Sequence, residues 1–178
     1  MKFEIIGLIL FLEATNSLKK VAKFHPVELH WNPNYLVNVT NYFEQKKFVI
    51  YFNAEYDLIV QVLDVFLDIE IYKYEGNKKY FFLNERIQSC DVLRKSGISK
   101  LQYFSQKILK ILRDHTNGFV CVHEKGHYYY RDIEFNYNQL SRFLPKGRYR
   151  AGLYTYDKKK KPLTQIHNYT ISFDVSLE

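Results

Sequence analysis

From Asn168 to Leu177 the chain alternates without a break. Tyr169, Ile171, Phe173, Val175 and Leu177 fall on one side; Asn168, Thr170, Ser172, Asp174 and Ser176 fall on the other. A period of two is the repeat of a β-strand, whose successive side chains point to opposite faces. It predicts a strand over residues 165–177, with an apolar face turned inward and a polar face, Asn168 included, turned to solvent. Sixteen Tyr and fourteen Phe in 178 residues carry the preference for strands along the whole chain.

The same repeat returns within residues 56–74. Leu63, Val65, Leu67, Ile69 and Ile71 share one face, and Asp64, Asp68 and Glu70 lie on the other, which reads as solvated. The segment predicts one long strand, or two joined by a bulge. Glu75-Gly-Asn-Lys78 is a hairpin turn after it. Further strands are expected over 48–52, 80–87, 119–123, 127–132 and 148–157. Turns are expected at Pro26, at Trp31-Asn-Pro-Asn34, at Lys125-Gly126 and at Pro145-Lys-Gly147. Residues 98–115 form the one helix, opened by a Ser99/Gln102 capping box and stopped by Asn117-Gly118. Leu101, Phe104, Ile108, Ile111 and Leu112 make its apolar stripe. Seven or eight antiparallel strands with one inserted helix imply an all-β fold, an antiparallel sandwich or open cup, in a single domain over residues 18–178.

The first twelve residues end in the apolar run Ile5-Ile-Gly-Leu-Ile-Leu-Phe-Leu12. That run is too short to span a bilayer and suits the hydrophobic core of a signal peptide, with cleavage after Ser17. The other reading is a first buried strand or short helix. Cleavage would remove Lys2, Glu4 and Glu13 and take the net charge from +7 to about +8. A basic chain favours acidic surfaces, and for a secreted one these are anionic lipid headgroups or glycans. Lys158-Lys-Lys-Lys161 is the densest basic run and sits at an expected hairpin tip, where solvation accounts for it.

Two cysteines, Cys90 and Cys121, fit neither a zinc site nor a CxxC redox motif. In a secreted chain they suggest one disulfide closing about 32 residues, worth roughly 3–4 kcal/mol. In a reducing compartment they read as two buried free thiols. Asn38-Val-Thr40 and Asn168-Tyr-Thr170 are candidate glycosylation sites.

The chain carries no Gly-rich phosphate loop, HExxH or GxSxG. His123 and His127 flank one turn, but two ligands do not make a metal site. No catalytic residue and no cofactor is expected. Tyr128-Tyr-Tyr-Arg131 and Arg148-Tyr-Arg150 interleave basic and aromatic residues. Such a surface could stack bases, but cross-strand Tyr/Arg packing accounts for it without nucleic acid.

Three segments resemble a known family in order and spacing: Ser89-Cys-Asp-Val-Leu93; Phe119-Val-Cys-Val-His-Glu-Lys-Gly-His-Tyr-Tyr-Tyr130; and Phe143-Leu-Pro-Lys-Gly-Arg-Tyr-Arg150. They look like the C-terminal half of the ganglioside activator protein. The likeness is greater to the insect secreted family related to it, which includes the Drosophila chemosensory proteins CheA and CheB. The resemblance covers residues 56–177 and lacks that family's other cysteines. It implies the lipid-recognition (ML-like) β-cup, a Cys90–Cys121 disulfide, and a non-enzymatic, extracellular role. In that role the cup holds a lipid or a cuticular-hydrocarbon-like pheromone in chemosensation. The expected partners are a hydrophobic small molecule and, beyond it, a chemosensory receptor or membrane surface, with the protein a monomer.

The residues placed to line such a cup are Leu67, Ile69, Ile71, Leu101, Phe104, Ile108, Tyr169, Ile171, Phe173 and Val175. In a solid core the same residues would simply pack together. The competing function is an extracellular β-sandwich module that engages a receptor or glycan through its basic, aromatic surface.

Overall fold

The computed structural model describes residues 20–46, 49–93, 103–118, 120–136, 144–160 and 162–177. The expected signal peptide over residues 1–17, Phe48, the expected capping box at Ser99/Gln102, Leu101, Phe119, Phe143 and Lys161 lie outside the described residues. Among the described residues nine strands and two helices follow in order: β1 Lys20–Phe24, β2 Glu28–Trp31, β3 Leu36–Lys46, β4 Val49–Leu58, β5 Val65–Glu75 and β6 Lys78–Gln88. Then come α1 Ser89–Leu93, α2 Tyr103–His115, β7 Gly126–Asn136, β8 Gly147–Asp157 and β9 Thr164–Leu177.

All pairings are antiparallel and form two sheets. The larger runs β1-β9-β8-β5-β6, with β2 also paired along β9; the smaller runs β3-β4-β7. The sheets pack face to face as a sandwich, so each strand buries its inward row against the opposite sheet. The main core cluster joins Ile69, Tyr149 and Phe173 of the larger sheet to Ile133 of the smaller and to Leu109 and Leu112 of α2. Each such side chain contributes about 1.5–3 kcal/mol through burial.

The alternation predicted the inward faces of β5 and β9, but tertiary context moved several boundaries. Residues 56–74 are not one strand, nor two joined by a bulge. β4 ends at Leu58 in the smaller sheet and β5 begins at Val65 in the larger. Residues 59–64 carry the chain across, tied by Ile59 N donating to Tyr35 O. The buried row changes parity in the crossing, from Ala54, Tyr56, Leu58 and Val62 to Val65, Leu67, Ile69 and Ile71; Leu63, within the crossing, is exposed. The expected strand at 119–123 is also absent among its described residues. Only His123 pairs, exchanging two backbone hydrogen bonds with Val62. β1, β2 and β3 answer to no predicted strand.

The polar faces are not uniformly solvated. Asp68 is only 8% exposed. It faces Arg86 across β5 and β6 and accepts two hydrogen bonds from it, Nε to Oδ1 at 2.7 Å and Nη2 to Oδ2 at 2.6 Å. A carboxylate loses its water only when such a partner replaces it. Asp64 accepts from Gln88 and Lys158, and Glu70 pairs with Lys79. Asn168, expected on the solvent side, is buried at 8% exposure. β9 is an interior strand, with His30 of β2 and Tyr154 of β8 directly beside Asn168. Leu177, expected inward, is exposed at the chain's end.

Two turns show how local chemistry places the strands. Gly76 takes a φ of 59° in the two-residue β5–β6 turn, a conformation glycine adopts without Cβ strain. Asn38 takes a φ of 51° at the β3 bulge, where its amide donates to Asp57 at 2.7 Å. Tyr149 is wholly buried, stacked 5.3 Å from Phe173, and its hydroxyl donates to Pro145 O at 2.6 Å. Replacing Tyr149 by Phe leaves that carbonyl unpaired. It should lower unfolding free energy by about 1–2 kcal/mol, read as a lower urea midpoint with unchanged slope.

Candidate functional site

Between the sheets lies a cavity of about 420 Å³. Strand register builds its floor. Ile69, Leu153 and Tyr169 stand side by side across β5, β8 and β9, and Ile71, Ala151 and Ile171 form the next row. The smaller sheet supplies the roof, where Phe43, Phe52 and Ile133 align across β3, β4 and β7. Phe52 and Tyr130 meet Tyr169 edge-on, with ring centroids 5.1 and 5.7 Å apart, so aromatic contacts bridge the two sheets there. α2 closes one side with Ile108, Ile111 and Leu112.

The open volume has a local cause. Ala151 stands in the middle of the floor between two isoleucines, where a larger residue would reach toward the roof. The helix is held in place at its C-terminal end. Asn117 donates to His127 O and accepts from Tyr129 N, the Thr116 hydroxyl donates to Tyr129 O, and His115 Nδ1 bonds Arg131 O.

Of the ten residues expected to line a cup, Ile69, Ile71, Ile108, Tyr169, Ile171 and Phe173 stand along this cavity. Leu67 lines a second, smaller cavity instead. Val175 packs in the solid part of the core, beside Ala22 on β1. Leu101 and the side chain of Phe104 lie outside the described residues. The roof residues of β3, β4 and β7 were not anticipated. Alternation at Ile50 and Phe52 and at Ile133 and Phe135 is their signal, too short in each strand to stand out alone.

The floor and roof rows of the cavity carry no charged side chain. Burial raises Tyr169 well above the usual phenol range and pushes Tyr130 up to about 12, so both stay neutral, as does Tyr56 of the smaller cavity, raised in the same way. Glu70, Lys107 and Glu134 are the charged residues of the lining, and the last two are exposed at its edge.

The smaller cavity, about 50 Å³, has a more polar lining: Ser89, Thr116, Gly118, His123, Thr155 and His167 among apolar residues. His167 is 3% exposed and lies against Tyr56 and Tyr169. Burial, helped by nearby His123, lowers its pKa to about 3, so the ring is neutral. Burial lowers His123 as well, and its Nε2 donates to Gly118 O at 2.7 Å. Nδ1 of both rings is buried without a partner.

Cys90 and Cys121 are free thiols brought together by the fold. Burial first, then the hydrogen bond with Cys121 and the charge of Asp64, push the Cys90 thiol up to about 12. Among the candidate glycosylation residues, Asn38 is exposed and Asn168 is not. His123 and His127 turn apart, the second to Asp57 and Glu55. Among the described residues no group of three or more His, Cys, Asp or Glu could hold a metal, and no helix is long and apolar enough to cross a membrane. The basic and aromatic segments are engaged in cross-strand contacts. Arg131 pairs with Glu55 over Tyr129, Arg148 with Asp174, and Arg150 with Glu28.

Residues 67–151 match the family described as "Protein of unknown function (DUF1091)". The stretch runs from β5 into β8 and takes in both cysteines, both helices and β7. No curated protein matches the chain.

Proposed function

We propose that the protein is a non-enzymatic carrier that holds a hydrophobic small molecule or lipid between its two sheets. The observation that carries this is the apolar cavity of about 420 Å³ closed by α2. Its volume falls within the range of about 300–1,000 Å³ typical of small-molecule sites. A bound chain gains about 0.8 kcal/mol for each methylene taken from water, so affinity needs no charged anchor. The setting that goes with this reading is extracellular fluid, after removal of the first 17 residues, with a pheromone-like or cuticular lipid as cargo in insect chemosensation. The test is titration of the purified protein with an apolar fluorophore and then with long-chain hydrocarbons as competitors. Saturable uptake of one molecule per chain supports the reading; no uptake ends it.

The extracellular setting has a redox consequence. The Cys90 and Cys121 thiols, side by side in the fold, close to a disulfide in an oxidising compartment. The product secreted from insect cells is then expected to begin near Leu18 and to weigh two hydrogens less than the dithiol, by intact mass. Met1 retained with both thiols free would overturn the extracellular setting and leave the cavity as it is.

A second reading, an extracellular interaction module that engages a receptor or glycan, has its own support. Tyr74, Tyr80, Phe81 and Phe82 are exposed on the β5–β6 hairpin, with Lys79 Nζ 3.7 Å from the Tyr72 ring centre. Salt-sensitive binding of a protein or glycan, with no uptake of apolar ligand, would favour the module.

A further inference from the structure

Unpartnered polar atoms beside an apolar cavity say something about the head of its occupant. The large and small cavities share Leu112 and Tyr130 in their linings, so the small one lies behind these two side chains. The hydrogen-bond accounting of the small one is nearly closed. The Thr116 hydroxyl donates to Tyr129 O and accepts from Gly118 N. His123 Nε2 donates to Gly118 O, which fixes the tautomer of that neutral ring and leaves Nδ1 a bare acceptor. His167 Nδ1 is the second buried nitrogen without a partner, and His123 is near enough to disfavour protonation of the His167 ring. Buried polar groups are nearly always paired, and each one left open costs stability.

We infer that the small cavity is a head-group site and that the carrier's preferred cargo is a neutral long-chain alcohol whose hydroxyl donates to His123 Nδ1. The inference rests on the carrier reading and adds the chemistry of the cargo. Where Leu112 and Tyr130 part, a chain lying in the large cavity brings its end to the histidines. At about 50 Å³ the space has room for a hydroxymethyl group, since about 10–15 Å³ suffices for one water. A hydroxyl both donates and accepts, so it satisfies His123 Nδ1 and still accepts from His167 when that neutral ring carries its one proton on Nδ1. An ether, an ester or a hydrocarbon cannot donate. A carboxylate would place a charge among neutral rings and phenols with no cation in the small cavity's lining to pair with it.

The experiment displaces an apolar fluorophore from the full protein with 1-tetradecanol, with 1-methoxytridecane of equal heavy-atom count, and with tetradecanoate at pH 8. The alcohol is expected to bind at least about tenfold more tightly than the ether. His123→Leu should erase that preference, read as the ratio of alcohol to ether affinity, and His123→Gln, which restores an acceptor, should recover part of it. If His123→Leu fails to bind the ether as well, His167→Phe, which removes the hydroxyl's other partner and keeps His123, should weaken the preference without erasing it. Equal affinity for alcohol and ether overturns the head-group site and leaves the carrier reading intact. A preference untouched by both histidine substitutions also overturns it, making the cavity a trapped-water site. Tetradecanoate binding more tightly than the alcohol would place the head at the Lys107 edge instead, and overturn the site too. No displacement by any of the three ends both readings.

Discussion

Replacing Ala151 by phenylalanine abolishes uptake of an apolar fluorophore and leaves the fold standing. Ala151 sits mid-floor between Ile71 and Ile171, and its small side chain is one reason the cavity stays open. A benzyl ring projected from that position occupies space now empty, so it displaces cargo rather than neighbours. Probe affinity should fall by more than about tenfold. The urea midpoint should hold or rise, because filling a void contributes about 0.5–2 kcal/mol. The opposite pattern is as informative. A midpoint lowered by about 1–3 kcal/mol would mean the ring met a packed core, not a cavity. Undiminished uptake would mean the probe binds elsewhere, with the exposed aromatics of the β5–β6 hairpin the first place to look.

The second large effect is a loss of stability on mild acidification. In the folded protein the His167 pKa is lowered to about 3, mainly by burial; in the unfolded chain it takes its ordinary value of about 6.5. Between those values the unfolded state binds a proton that the folded state refuses. Stability therefore falls as pH drops, by about 1.4 kcal/mol per unit for this one ring. His123, lowered by burial in the same direction, adds to the slope.

The carboxylates held low in the fold are Asp57 by Asn38 and His127, Asp174 by His25 and Arg148, and Glu44 by Tyr42 and Lys46. They begin to weaken the protein only below about pH 4.5, where their unfolded forms take protons. The window from about pH 6.5 to 4.5 thus reads the buried histidines. Urea unfolding across it should lose about 2–3 kcal/mol, and His167→Phe, which keeps a ring against Tyr56 and Tyr169, should flatten most of that loss. A wild-type profile flat over the window would contradict the buried, neutral state of His167.

Period-two patterning made the interior strands legible. It marked Ile69 and Ile71 on β5 and Tyr169, Ile171 and Phe173 on β9 as one continuous inward surface, and those residues do line the cavity. The helix stripe at Ile108 and Leu112 was equally plain, because both sit at helical spacing beside Lys107 and Lys110. β1, β2 and β3 escaped notice. β1 and β2 are only five and four residues long, too short for a period to emerge. β3 alternates weakly and is broken by the bulge between Val37 and Thr40. The crossing at residues 59–64 was hidden because it is short and itself apolar, with Ile59, Val60, Val62 and Leu63 in it, although the buried row changes parity there.

Sequence by itself determined which side chains share a face, because pleat geometry depends only on spacing along the chain. It could not determine what covers the other face. Asn168 and Asp68 read as solvent-facing and are buried, since β2 and β8 flank the first and Arg86 caps the second. Nor could it tell a cavity from a core. An apolar row looks the same whether the opposite sheet touches it or stands off. That separation is set by how two sheets and a helix pack in three dimensions, and by one small residue, Ala151, in the middle of the floor. The closeness of the Cys90 and Cys121 thiols and of the His123 and His167 rings is of the same kind. Each joins residues more than 30 positions apart, and only the closed sandwich brings them together.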